Sequence, residues 1–223
     1  MKPFVYFVLA GLFLTLFIPA AHADTVAVTF TNTTGSLGND RITMGWEFTV
    51  NSAITVTKIG VFDDSLDGFA FSHDVGLWSC GNSPCATSGT LLVSSTVPIG
   101  TTAPLTNQFR YAAVTPTNLV PGVYYEVGAR YEDFNTDKLI QYIDPVPTFA
   151  IASELNFIVD RAGTGFVLTF PNDYSSVQPS YFGPSFQFTS TAVPEPSTSS
   201  LLAIALAGLA GLAFVGKRQP KQA

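Results

Sequence analysis

Met44-Gly45-Trp46-Glu47-Phe48-Thr49-Val50 is followed three residues later by Ile54-Thr55-Val56-Thr57-Lys58-Ile59-Gly60-Val61-Phe62. In the first run Trp46, Phe48 and Val50 fall on one side of an extended chain, the period-2 pattern of a half-buried strand. In the second, Ile54, Val56 and Lys58 share one side, while Ile59 and Val61 fall on the other. Working outward, runs rich in Thr, Val, Phe and Tyr recur at roughly ten-residue spacing, cut by Gly, Pro, Asn and Asp. They cover Val26–Thr31, Val75–Ser79, Thr90–Thr96, Phe109–Val114, Val123–Tyr131, Phe166–Phe170 and Phe182–Phe188. Val120-Pro121-Gly122-Val123 is a strong turn signal between two of them. No stretch has a sustained 3.6-residue period, and the best helical candidate, Ala150–Leu155, is a turn or two long. The expectation for residues 24–189 is an all-β domain, an antiparallel sandwich of jelly-roll kind.

Both ends read as addresses. Lys2, the apolar run Phe4–Ile18 and Ala21-His22-Ala23 make a basic start, a hydrophobic core and a small-x-small cleavage site. Residues 1–23 are therefore expected to be a signal peptide cut by signal peptidase at Ala21 and Ala23, with an uncleaved membrane anchor as the alternative. At the other end residues 201–216 are almost purely apolar. With Ser199 and Ser200 they approach the shortest bilayer-spanning helix, about 17 residues. Lys217, Arg218 and Lys221 follow in a basic tail, residues 217–223, whose charge holds that end in the cytoplasm and places the body outside. Residues 190–200, rich in Pro, Ser and Thr, form an extended linker. Between the ends, residues 24–193 hold fifteen Asp/Glu against six Lys/Arg. That balance excludes nucleic-acid binding, which needs clustered cations. The two cysteines, Cys80 and Cys85, sit in one loop segment and predict a local disulfide in an oxidising compartment.

The linker contains Val193-Pro194-Glu195-Pro196-Ser197. Pro194 and Pro196 keep the chain extended and hold Glu195 just outside the bilayer, where a membrane-embedded peptidase can reach it. Motif, apolar helix and basic cluster in this order resemble the PEP-CTERM sorting domain of Gram-negative bacteria. The resemblance covers roughly the last 30 residues; the tail runs on past Arg218 to Ala223, slightly longer than usual. It implies recognition by an exosortase, cleavage near Val193-Pro194-Glu195-Pro196, a transient stay in the inner membrane, and release or attachment at the cell envelope or outside the cell. It also implies association with exopolysaccharide and biofilm. Gly45–Val50, Asp67-Gly68, Ser72–Trp78, Phe109-Arg110-Tyr111 and Tyr181–Pro184 are similar to an uncharacterised β domain common among PEP-CTERM proteins. That second resemblance implies a fold and no chemistry.

Chemistry-bearing patterns in the body are sparse. Asp63, Ser65, Asp67 and Asp74 fall at positions 1, 3, 5 and 12 of a loop with Gly68 at position 6, close to a calcium-loop pattern. The alternative is an ordinary acidic turn. His73, the one histidine after the signal peptide, lies between Ser72 and Asp74. Neighbours on a strand point to opposite faces, so these three form no triad. Glu126, Glu132 and Asp133 are close in sequence, but nothing ties them to a cleft. No catalytic residue is assigned and the protein is expected not to be an enzyme, an envelope hydrolase being the remotest alternative. The tyrosines and tryptophans (Trp46, Trp78, Tyr111, Tyr124, Tyr125, Tyr131, Tyr142, Tyr174, Tyr181) suit core packing. A few exposed rings would instead make a carbohydrate-binding module. The expected protein is an exported structural component of the surface or matrix.

Overall fold

The computed structural model describes residues 24–30, 36–37, 41–132, 137–141, 149–174 and 181–190. The expected signal peptide with Ala21 and Ala23, the motif Val193-Pro194-Glu195-Pro196, the apolar segment 201–216 and the tail 217–223 lie outside the described residues. The chain divides into two units, one of residues 22–191 and one made of residues 1–21 with 192–223.

Among the described residues every element is a strand, and no helix is long and apolar enough to cross a membrane. The strands run Thr25–Val26 (β1), Val28–Phe30 (β2), Ser36–Leu37 (β3), Ile42–Val50 (β4), Ile54–Phe62 (β5), His73–Gly81 (β6), Thr90–Val97 (β7) and Leu105–Thr106 (β8). They continue with Phe109–Leu119 (β9), Tyr124–Tyr131 (β10), Leu139–Gln141 (β11), Phe149–Ile151 (β12), Leu155–Thr164 (β13), Asp173–Tyr174 (β14), Tyr181–Phe182 (β15) and Pro184–Ser190 (β16). A five-stranded sheet has the order β1-β16-β5-β9-β8, and a six-stranded sheet the order β14-β13-β4-β10-β6-β7. Smaller sheets pair β15-β11-β3 and β12-β2. All named pairings are antiparallel.

The core takes its largest rings from both main sheets. Trp46 of β4 stacks on Phe186 of β16 with centroids 5.8 Å apart, and Phe48 meets the same ring at 5.0 Å. Trp46 Nε1 donates to the Pro184 carbonyl at 3.0 Å, so the indole is oriented as well as buried.

Two sequence expectations change, and the short helical candidate resolves as strand and turn. Ile59 and Val61 do not oppose Ile54 and Val56: all four are core residues, while Lys58 is 37% exposed. A bulge explains this. The β16–β5 pairing shifts register between Gln187 and Phe188, which face Lys58 and Val56, so Thr57 is an extra residue on β5, and an extra residue in a strand flips the side-chain alternation beyond it. Pro116 falls within the shifted stretch of β9, where a missing N–H costs no ladder bond. Phe166–Phe170 is not a strand, and Phe166 and Val167 stand 75% and 67% exposed. The strand is instead Leu155–Thr164, whose pairing with β4 shifts between Phe157 and Val159, breaking its alternation. Ala150–Leu155 forms no helix: Phe149–Ile151 pairs with Val28–Phe30, and the turn after it is closed by the Leu155 N–H on the Ala152 carbonyl.

Truncating Trp46 to Ala should lower unfolding stability by about 3–5 kcal/mol. Trp46→Phe keeps a ring but orphans the Pro184 carbonyl, and should cost less. Urea unfolding followed by circular dichroism measures both.

Candidate functional site

The acidic loop after β5 already holds a cation, supplied by the chain itself. Asp63 is buried and its Oδ2 accepts from Arg110 Nε at 2.6 Å and from the Gly68 N–H at 3.1 Å. The guanidinium then donates to the carbonyls of Thr101 and Ala103 at 3.1 Å each and of Leu66 at 3.3 Å. Leu66 at φ 62° and Gly68 at φ 96° turn the backbone around it. Asp74 lies elsewhere, on β6, where it accepts from Thr96 Oγ1 at 2.6 Å across the β6–β7 pair. Ser65 and Asp67 are exposed. Of the four residues in the calcium-loop pattern, Asp63, Ser65, Asp67 and Asp74, only the first and last have side-chain partners among the described residues. The first oxygen is committed to a guanidinium, and the twelfth position is carried off along a strand.

His73 and Asp74 do point opposite ways, one buried and one exposed. His73 Nε2 meets Asp137 Oδ2 at 3.1 Å and its Nδ1 meets the Arg130 carbonyl at 2.8 Å. Asp137 also accepts the N–H groups of Ala70 and Phe71 at 2.8 and 2.9 Å, which ties the acidic loop to the segment before β11. Burial raises the Asp137 pKa, but the His73 bond and the two backbone donors outweigh it and hold the carboxyl below its ordinary value. Sequence reasoning missed Asp137, since nothing local marks a residue 64 positions from its partner.

The densest chemistry lies on the face of the six-stranded sheet that points away from Trp46. Gly45, Gly128 and Gly76 lie side by side on β4, β10 and β6. With no side chains in that row, the Trp78 indole and the Pro171 ring lie close over the backbone; a Cβ on Gly128 would stand 3.1 Å from Pro171 Cγ and 3.2 Å from Trp78 Cζ3. Phe170 meets Trp78 edge to face at 5.9 Å. Phe170 and Pro171 thus stack on the sheet and pair with no strand, while Phe166 and Val167 stand exposed.

Next to that row, Glu47 and Glu126 sit opposite each other on β4 and β10. Both are fully buried. Arg161 of β13 reaches Glu47 Oε2 with Nε at 3.0 Å and with a terminal nitrogen at 2.5 Å. Neither oxygen of Glu126 has a hydrogen-bond partner. Burial, more than the attraction of Arg161 or the repulsion of Glu47, pushes the Glu126 pKa up to about 9, so this carboxyl is a neutral acid at pH 7. Glu132 lies six residues along the chain from it, ~20 Å in extended conformation, and is 45% exposed. The two therefore form no pair; Asp133 is outside the described residues.

Cys80 and Cys85 are joined in a disulfide, as the sequence predicts. Both sulfurs and a Glu126 oxygen lie within 4.8 Å of one another. These three are the one group of potential metal ligands among the described residues, and the disulfide withholds two of them. Trp46, Trp78, Tyr111, Tyr125 and Tyr131 are buried, and Tyr124, on the opposite face from Tyr125, is half-buried.

Beyond this domain, residues 192–219 match the PEP-CTERM protein-sorting motif. The C-terminal residues thus carry a PEP-CTERM sorting signal, which implies export, transient membrane anchoring and processing by an exosortase. No curated protein matches the chain.

Asp63→Ala strands a buried guanidinium and should cost about 3–5 kcal/mol, and millimolar calcium should leave the wild-type melting temperature unchanged. Glu126 gives a pH signature. Its contribution is full below the ordinary value of 4.5 and is lost as pH rises towards about 9, because the unfolded chain ionises first. Glu126→Gln should therefore gain on the wild type by about 1.4 kcal/mol per pH unit across that window. Melting curves from pH 4 to 9 measure the widening gap.

Proposed function

We propose that this is a non-enzymatic structural protein of the cell surface or extracellular matrix, delivered by its sorting signal and acting in association with exopolysaccharide. The observation that carries the reading is the PEP-CTERM match at residues 192–219, following an all-β domain with an internal disulfide. A disulfide persists in the oxidising space beyond the inner membrane, in keeping with export. In this reading the signal peptide of residues 1–23 starts translocation and segment 201–216 pauses the chain in the membrane. An exosortase then cuts near Pro194-Glu195-Pro196 and frees the β domain of residues 24–189 with the start of the linker attached. The passenger is an antiparallel sandwich, supported by the core that the five- and six-stranded sheets share.

A carbohydrate-binding module in the same place would need aromatic rings open to solvent. The burial of Trp46, Trp78, Tyr111, Tyr125 and Tyr131 favours the structural reading. A hydrolase would need a nucleophile and a base, and His73 is engaged through both ring nitrogens.

Mass spectrometry of the mature C-terminus tests delivery. Cells with the exosortase should yield a chain ending near Pro194–Pro196, and cells without it a chain retaining Lys217 and Arg218. Full-length chain in both would overturn the reading. Sedimentation with purified exopolysaccharide tests the role: saturable binding competed by a short oligosaccharide would favour the carbohydrate-binding alternative.

A further inference from the structure

The two ends of the Cys80–Cys85 bond are unequal. Cys85 is sealed from solvent, whereas Cys80 is half-buried and lines an open depression of about 420 Å³ with Ser79, Gly81, Ser88, Gly89 and Thr90. A reagent therefore reaches the pair from the Cys80 side. Behind the bond stands Glu126, fully buried, with neither oxygen hydrogen-bonded and one of them within 4.8 Å of both sulfurs. The charged groups facing it are Glu47 from β4 and Arg161 from β13, and these are paired with each other.

We infer that Cys80–Cys85 is an exchangeable, redox-active disulfide: a low-molecular-mass thiol attacks Cys80, and Glu126 protonates Cys85 as it leaves. The step balances. An incoming thiolate forms a bond to Cys80 Sγ, the Cys80–Cys85 bond breaks, and its electron pair departs on Cys85 Sγ. The Glu126 carboxylic acid passes its proton to that thiolate and becomes a carboxylate beside Arg161. A second thiolate of the same kind attacks the mixed disulfide, releasing the symmetrical disulfide of that thiol and the Cys80 thiolate, which takes its proton from solvent. In reverse, carboxylate Glu126 deprotonates Cys85 for attack on the mixed disulfide.

The physical need for the acid is clear. A thiolate expelled into a dry site is a poor leaving group, because burial raises its pKa and exchange slows as the leaving thiol becomes more basic. A buried carboxyl with no other partner is the group that removes this barrier. In a passive staple the same carboxyl would only be a destabilising burden. The inference stands apart from the sorting signal and does not depend on it.

Reduction of the full-length folded chain by glutathione tests it, with rates divided by the glutathione thiolate concentration at each pH. At pH 7 Glu126→Gln should react about 10²-fold more slowly than the wild type, the lower end of what a positioned proton donor supplies. The wild-type rate should fall towards the variant's as pH passes about 9, and the variant's should stay flat. Peptide mapping of the trapped adduct should find glutathione on Cys80. Should the variant fail to fold, the wild-type pH profile and the adduct position decide alone. Equal rates at pH 7, a flat wild-type profile, an adduct on Cys85, or reduction no faster than global unfolding would each overturn the inference.

Discussion

The central strands of the six-stranded sheet, β4, β10 and β6, are covered on both faces, and much of the molecule follows from that constraint. One face carries Trp46, Phe48, Tyr125 and Val127 into the aromatic core shared with the five-stranded sheet. The other would ordinarily meet water, yet Trp78, Phe170 and Pro171 lie across it over a row of glycines. Polar residues that the alternation places there, Glu47, Glu126 and Arg161, are consequently desolvated. Desolvation admits few arrangements for charged groups: pairing, or neutralisation. Here both occur side by side. Glu47 and Arg161 pair, leaving Glu126 to stay protonated next to the disulfide.

Similar logic governs the loops. Asp63 and Arg110 hold the turn after β5, while Asp137 gathers His73 and two backbone N–H groups from the far side of the same turn. Asp63 and Asp137 are each met by a partner distant in sequence, so the loop is fixed by the fold around it as well as by its own turn. For a chain that would finish folding outside the membrane, these tethers and the disulfide supply rigidity where an extended edge would otherwise be open to mispairing.

Much of the strand content was legible because Met44–Val50 alternates and Val123–Tyr131 is filled with aromatic and β-branched residues, although both strands are buried on both faces. It failed at bulges. Leu155–Thr164 hides its strand character behind a register shift and the Asp160-Arg161 pair, which reads as a solvated surface although Arg161 is the buried partner of Glu47. Phe166–Phe170 reads as a strand from composition, yet its Phe170 serves instead to cover a sheet. Asp63 and Asp67 display calcium-like spacing, which records residue types but not the arrival of Arg110 from a strand 47 positions away.

What the sequence alone determined is what contiguous residues carry: the sorting motif with its apolar segment and basic tail, the all-β character, and the short-range Cys80–Cys85 link. These need no distant partner, since a translocation or processing machine, or a neighbouring thiol, reads them locally. Only the tertiary structure decided which carboxyls are ionised, which cation serves the acidic loop, and that Glu126 stands beside the disulfide. Those facts depend on burial and on distances between strands far apart in the chain, quantities set by packing.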